Sequence, residues 1–294
     1  MKKLIFLLII LLYGGLFIFK SMNKDKDKLY DEIVKYKLEN DTLAINATYD
    51  LIYKKIPSSN GYVINVEKSH ENMKDNNIFD PELLVYDIIY PEIGNSQVKG
   101  PIYQGNQRNK TVSININVAW GEEYLLDMLE ILDQYEVKVN FFVEGNWAKK
   151  NSDLMTLMVE KGHLIGNHSM SHKDFSKMSY EEMKEDILAT NEIIKQYTNK
   201  DVIYFAPPSG AYNEVTLKVC EELNMELIMW SVDTIDWQKP SVEVIKNRVY
   251  KKLDCGSIIL MHPTLNTKEA LEPIILEIAK RGLEIKTIEK MLNS

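Results

Sequence analysis

From Lys110 onward the chain alternates between short apolar runs and amphipathic stretches, and this alternation limits the possible folds more than any other feature. The apolar runs are Thr111–Val118, Val137–Val143, Leu164–Asn167, Val202–Phe205, Glu226–Trp230, Ser257–Met261 and Leu283–Ile285. Helical stretches separate nearly every pair of them, over Glu122–Gln134, Trp147–Lys161, Ser179–Tyr197, Glu214–Leu223, Val242–Leu253 and Lys268–Arg281. Ser179 and Glu182 have the spacing of a capping box at the start of the third stretch. Strand–helix alternation over about 185 residues predicts a parallel α/β sheet or barrel, two arrangements that alternation alone does not separate.

In parallel α/β folds, sites form at the carboxyl ends of the strands. Those ends carry Asn117-Val118-Ala119-Trp120-Gly121, His168-Ser169-Met170-Ser171-His172, Ala206-Pro207-Pro208-Ser209-Gly210, Asp233-Thr234-Ile235-Asp236-Trp237 and His262-Pro263. Three of the five histidines and, with Trp230 at the end of its own run, three of the four tryptophans fall there, which motivates an active-site reading. Each element also has a plainer role open to it. His168 and His172 can share a zinc ion, with positions left for water and substrate, or serve as surface and capping residues. Asp233 and Asp236 can be turn acids, His262 a satisfied core histidine and Trp237 a packing residue or the floor of a sugar subsite.

The chain before this region is a different material. Lys2 and Lys3 precede an apolar run, Leu4–Phe19, whose 16 residues would make a helix of roughly 24 Å. A cleaved signal peptide and an uncleaved anchor compete, and no pair of small residues suited to cleavage follows the run. The expectation is a membrane anchor over residues 1–20. Residues 21–108 are then a polar tether and a small α+β appendage, and residues 109–294 the main domain. Flanking lysines leave the side of the membrane open. The net charge of −8 and a set of only three arginines (Arg108, Arg248 and Arg281) speak against a nucleic-acid partner. Cys220 and Cys255, with no CxxC, are too few for a disulfide scaffold and are expected to be packed and unpaired.

In order along the chain, the rim segments resemble the motifs of the polysaccharide deacetylases, the NodB-homology family of carbohydrate esterases. Gly166-Asn167-His168-Ser169-Met170-Ser171-His172 resembles the family's H-[ST]-x-x-H metal motif. Trp230–Trp237 and Ile259–Pro263 resemble its fourth and fifth motifs. The resemblance implies a distorted (β/α)7 barrel and hydrolysis of acetamide groups on N-acetylated cell-wall glycan (peptidoglycan), by a domain lying outside the cytoplasm. The appendage and the first strand end further resemble a sporulation-associated, membrane-anchored branch. Two departures stand out. The first motif, T-F-D-D-G, supplies a general base and a third metal ligand, and on this reading those positions hold Asn117 and Val118. The third motif, R-x-P-x-[GY], opens at Ala206 in place of Arg. What the resemblance leaves is His168 and His172 for a weakly held zinc or other divalent ion, His262 as acid with Asp236 orienting it, and Trp237, Pro208 and Asp233 along the groove. Either a deacetylase with weakened or absent activity or a glycan-binding pseudoenzyme follows. Asp127, Asp174 and Glu144 are the carboxylates that could substitute if the fold brought one to the histidine pair.

Overall fold

The computed structural model describes residues 27–293. No helix among them is long and apolar enough to cross a membrane, and the expected anchor Leu4–Phe19 lies outside the described residues. In chain order the first elements are Lys28–Asn40 (α1), Thr48–Asp50 (β1), Lys54–Ile56 (β2), Gly61–Ile64 (β3), Val66–Met73 (α2) and Tyr86–Ile89 (β4). They divide between two compact units. One holds α1, β3, α2 and β4; the other holds residues 44–60 and everything from residue 90 onward. The smaller unit is α+β: β3 and β4 pair antiparallel, and Leu29, Ile33, Ile64, Val66 and Met73 form its core. Asp27 and Asn65 cap its helices by accepting from Tyr30 N and Lys68 N.

The boundary expected near residue 108 falls elsewhere because residues 44–60 and 90–108 are stitched into the larger unit. Lys55, almost fully buried, donates to both carboxylate oxygens of Glu226 at 2.7 Å. Ile102 N donates to Leu227 O, and Met229 N donates back to Ile102 O. Gly105 N donates to Gly256 O.

The larger unit continues with Thr111–Val118 (β5), Glu122–Gln134 (α3), Asn140–Val143 (β6), Gly145–Lys150 (α4), Ser152–Glu160 (α5), Leu164–Asn167 (β7), Tyr180–Thr198 (α6), Tyr204–Phe205 (β8), Glu214–Glu222 (α7), Glu226–Leu227 (β9), Val232–Asp233 (β10), Val242–Lys252 (α8), Ile258–Met261 (β11), Leu265–Lys280 (α9), Glu284–Ile285 (β12) and Ile288–Leu292 (α10). The sheet runs β10-β11-β5-β6-β7-β8-β9, parallel throughout, with β12 beside the start of β5. Among the described residues β9 and β10 do not pair, so the sheet is a curled half-barrel rather than a closed ring. Ile102 and Gln104, bridging to Ile228 and Ser257, sit across the opening.

β5 explains the placement of the site. Ile114, Ile116 and Val118 pack with Leu125 and Leu129 of α3 in the layer between sheet and helices. The intervening Ser113 and Asn115 face the concave side, where Asn140 Nδ2 donates to both at 2.8 Å. Alternation along this strand therefore separates two buried environments, one apolar and one hydrogen-bonded.

Two readings of the sequence need correction. The stretch Trp147–Lys161 is two helices, broken at Asn151, whose φ of −122° and ψ of 48° leave the helical region. Val232–Asp233, read as loop, is a short strand beside β11.

Candidate active site

Register fixes which side chains can meet at the rim. Asn117 pairs with Phe142 and Val118 with Val143. Phe142 belongs to the concave-side cluster with Ile102, Tyr204 and Ala206, whereas Val143 belongs to the helix-side layer. Asn117 thus faces inward. It is one residue beyond the Ile116–Met261 pair, at the level of His262, and its buried Oδ1 has no hydrogen-bond partner. Val118 is fully buried on the other face, against α3, and presents nothing to the site.

This burial corrects the position assigned to the first motif. T-F-D-D-G closes on a glycine, and Gly121 is the residue here that must be glycine. Its φ is 84°, and a Cβ would collide with the carbonyl oxygen of Pro263. Counting back from Gly121, the two carboxylate positions are Ala119 and Trp120, not Asn117 and Val118. The turn at Gly121, next to the first residue of α3, was the signal that could have set the alignment. Trp120 is 41% exposed, and its indole lies parallel to the His262 imidazole, with 5.9 Å between centroids and 6° between planes. An aromatic ring therefore stands where the motif places a metal ligand.

His262 and Asp236 meet as expected. Asp236 is fully buried and accepts three bonds of 2.7 Å, from His262 N, His262 Nδ1 and Thr267 Oγ1. With Nδ1 engaged, Nε2 is the ring nitrogen left for the groove. The preceding turn is held open by Ile235, a β-branched residue at φ 49°. Asp233 Oδ1 accepts from Ile235 N, and Arg248 donates to the Thr234 and Ile235 carbonyls. Asp233 is therefore a turn acid here, and Trp237, 55% exposed, is carried outward by the same turn.

His168 follows β7 on the concave side, and its Nδ1 donates to Ala206 O at 2.7 Å, leaving Nε2 without its hydrogen. Burial, with the nearby His172, pushes the His168 pKa down to about 3. His172 is lowered as well, chiefly by desolvation, so both rings are neutral at pH 7. The two are edge to face with centroids 5.1 Å apart. The tight loop between them uses left-handed backbone at Ser169 and His172, and Ser169 Oγ accepts from His172 N.

Ala206 contributes only its carbonyl, and Pro208 is buried in a single 3-10 turn below Ser209 and Gly210. None of the substitute carboxylates completes a ligand set. Asp127 pairs with Lys268 on an exposed helix face, and Asp174 caps a turn through Ser176. Glu144 is buried beside the β5 end, but its carboxylate caps α4 by accepting from Trp147 N at 2.7 Å. Among the described residues no three His, Cys, Asp or Glu side chains are grouped to hold a metal ion. Two neutral imidazoles without a third donor do not fit the three-ligand zinc of a metal hydrolase.

The half-barrel thus brings a histidine pair and a His–Asp pair to one rim. The polysaccharide deacetylase profile matches residues 104–228. Over 274 residues the chain is 39% identical to the uncharacterized protein YlxY of Bacillus subtilis (strain 168), covering 93% of this chain and 86% of that one. It is 32% identical to a peptidoglycan-N-acetylglucosamine deacetylase of Bacillus cereus, over 62% of this chain and 88% of that one. Among solved structures, a family 4 carbohydrate esterase pseudoenzyme from Bacillus anthracis superposes with a TM-score of 0.83 at 38% identity, covering 90% of this chain and 95% of that one. A mutant of that pseudoenzyme with restored enzymatic activity superposes with a TM-score of 0.82 at 37% identity, over 90% of this chain and 98% of that one. The chain belongs to the polysaccharide deacetylase family, carbohydrate esterase family 4.

Proposed function

We propose that this protein binds N-acetylated cell-wall glycan at the rim and deacetylates it weakly or not at all. One observation carries the reading: Ala119 and Trp120 occupy the positions that supply base and third metal ligand in the family's first motif. Loss of a positioned base removes about 10²–10⁴ in rate, and no neighbouring carboxylate replaces it here. The acid side is intact in geometry. His262, held by Asp236, is placed to give a proton to a departing amine, and Trp237 offers an exposed indole beside it. The similarity to a peptidoglycan-N-acetylglucosamine deacetylase supports a peptidoglycan ligand. Similarity to a pseudoenzyme supports the absence of turnover. A divalent ion on His168 and His172 is not needed for this reading.

The test is to sediment the full-length protein with purified peptidoglycan and to measure acetate released from the same material. Co-sedimentation with acetate at background is expected, and elemental analysis should find zinc well below one per chain. Chelator-sensitive deacetylation would overturn the reading. Anchoring through Leu4–Phe19, with the domain outside the membrane and a role in sporulation, completes the proposal. The native protein should fractionate with membranes, and an N-terminus beginning beyond Ser21 would contradict an uncleaved anchor.

A further inference from the structure

We propose that Trp120 and Asn117 form a saccharide subsite beside His262, in which a pyranose ring stacks on the exposed indole of Trp120. This deepens the glycan-binding reading and rests on it. Three independent features converge. The Trp120 indole lies parallel to the His262 ring, offset at 5.9 Å between centroids and 6° between planes, and 41% of the residue is exposed, so the indole keeps surface free for a ligand beside His262. Position 120 lies on the turn between β5 and α3, clamped by Gly121 against the Pro263 backbone, so the indole is pre-oriented rather than free to swing. On the concave side at the level of His262, Asn117 is 95% buried, and its Oδ1 has no donor within the described residues. A buried acceptor without a donor is costly and rare in a folded protein. A sugar hydroxyl or an acetamido N–H supplies what it lacks.

The chemistry matches the class of ligand. The axial C–H face of a pyranose is apolar and flat enough to lie on an indole, while its edge carries donors and acceptors. Trp237, with 55% of its surface exposed, follows Asp236 directly in the chain, and Asp236 holds His262. In this arrangement the residue that displaced a metal ligand is itself the binding element. Affinity should accordingly be independent of metal.

Titration calorimetry of the full-length protein with tetra-N-acetylchitotetraose, with and without EDTA, tests this. Trp120→Ala should weaken binding about tenfold or more, Trp120→Phe by no more than about threefold, and Asn117→Ala about threefold to tenfold. EDTA should change nothing. In the wild type, sugar ring protons of the bound oligomer should move upfield beside the indole and the His262 Cε1–H should shift with them, a readout that needs no variant. Trp120→Ala binding as tightly as wild type, with Trp237→Ala binding lost, would overturn this subsite and leave the glycan-binding reading standing. No binding by the wild type would overturn both, and an affinity abolished by EDTA would replace the indole with a metal as the binding element.

Discussion

Introducing aspartate at two neighbouring positions separates the two alignments of the first motif. If the carboxylate positions were Asn117 and Val118, Val118→Asp would supply a ligand beside His168 and His172. The structure predicts otherwise. Val118 has no exposed surface and belongs to the apolar layer that also holds Leu125 and Leu129, so an aspartate there is an unpaired charge in that layer. Such a residue costs about 3–5 kcal/mol. For a unit of this size that lowers Tm by roughly 6–20 °C. Trp120→Asp removes an exposed ring stack worth about 0.5–1.5 kcal/mol, so Tm should fall by no more than roughly 6 °C. It also restores the carboxylate that the family's first motif supplies as third metal ligand, and zinc affinity should rise by at least about tenfold, ~1.4 kcal/mol. Differential scanning calorimetry and competition with a chromogenic chelator measure the two quantities on the same samples. Acetate release should appear only when Ala119→Asp and Ala206→Arg are added, because groups acting on one water are not additive. A stable Val118→Asp protein with tightened zinc, alongside an inert Trp120→Asp, would refute the corrected alignment.

Three further outcomes follow from side chains outside the motif. His163 is buried with its pKa pushed down to about 4 by desolvation, and its Nδ1 accepts from Val139 N at 3.2 Å. The unfolded chain therefore binds a proton near pH 6.5 that the folded chain refuses. Stability should fall as pH drops from about 6.5 to about 4, and His163→Leu should flatten that part of a urea-midpoint profile. Asp236→Ala leaves three donors without their acceptor and should cost about 3 kcal/mol, whereas Thr267→Val, losing one of them, should cost about 1 kcal/mol; denaturant titration measures both. Lys55→Met alone strands Glu226 and should cost about 3 kcal/mol, while Lys55→Met with Glu226→Leu should come close to wild type in a double-mutant cycle.

The regular part of the larger unit was legible because its periodicity is strong. The bounds of β5, β7 and α3 match the pattern read from Thr111–Val118, Leu164–Asn167 and Glu122–Gln134. Short elements were not. Val232–Asp233 makes only two pairs and carries no alternation to read. Asn151 breaks a helix through its backbone, while the apolar residues on either side continue in phase. The start of α9 lies at Leu265 rather than Lys268 because Thr264 caps it, its side chain accepting from Thr267 N. At the site, His168, His172, His262 and Asp236 could be named because their chemistry and order are distinctive. The first motif was misplaced by two residues for a physical reason. In Ile114-Asn115-Ile116-Asn117-Val118 the alternating polar residues draw the motif onto the strand, whereas the glycine that fixes its register, Gly121, lies in the turn that follows.

The stitching of Ile102 and Lys55 into the far end of the larger unit has a consequence for how the protein comes into being. Lys55 leaves the ribosome 171 residues before its partner Glu226, which at about 5–20 residues per second is a wait of roughly 10–30 s. Asn60 must wait longer, since it donates to the carbonyl of Asn293. During that interval Ile102, completely covered in the finished fold, has neither Leu227 nor Met229 to pair with. The opening of the half-barrel is thus sealed last by the segment made first. Nascent chains should remain exposed at Ile102, and in need of a holding chaperone, until about the final quarter of synthesis.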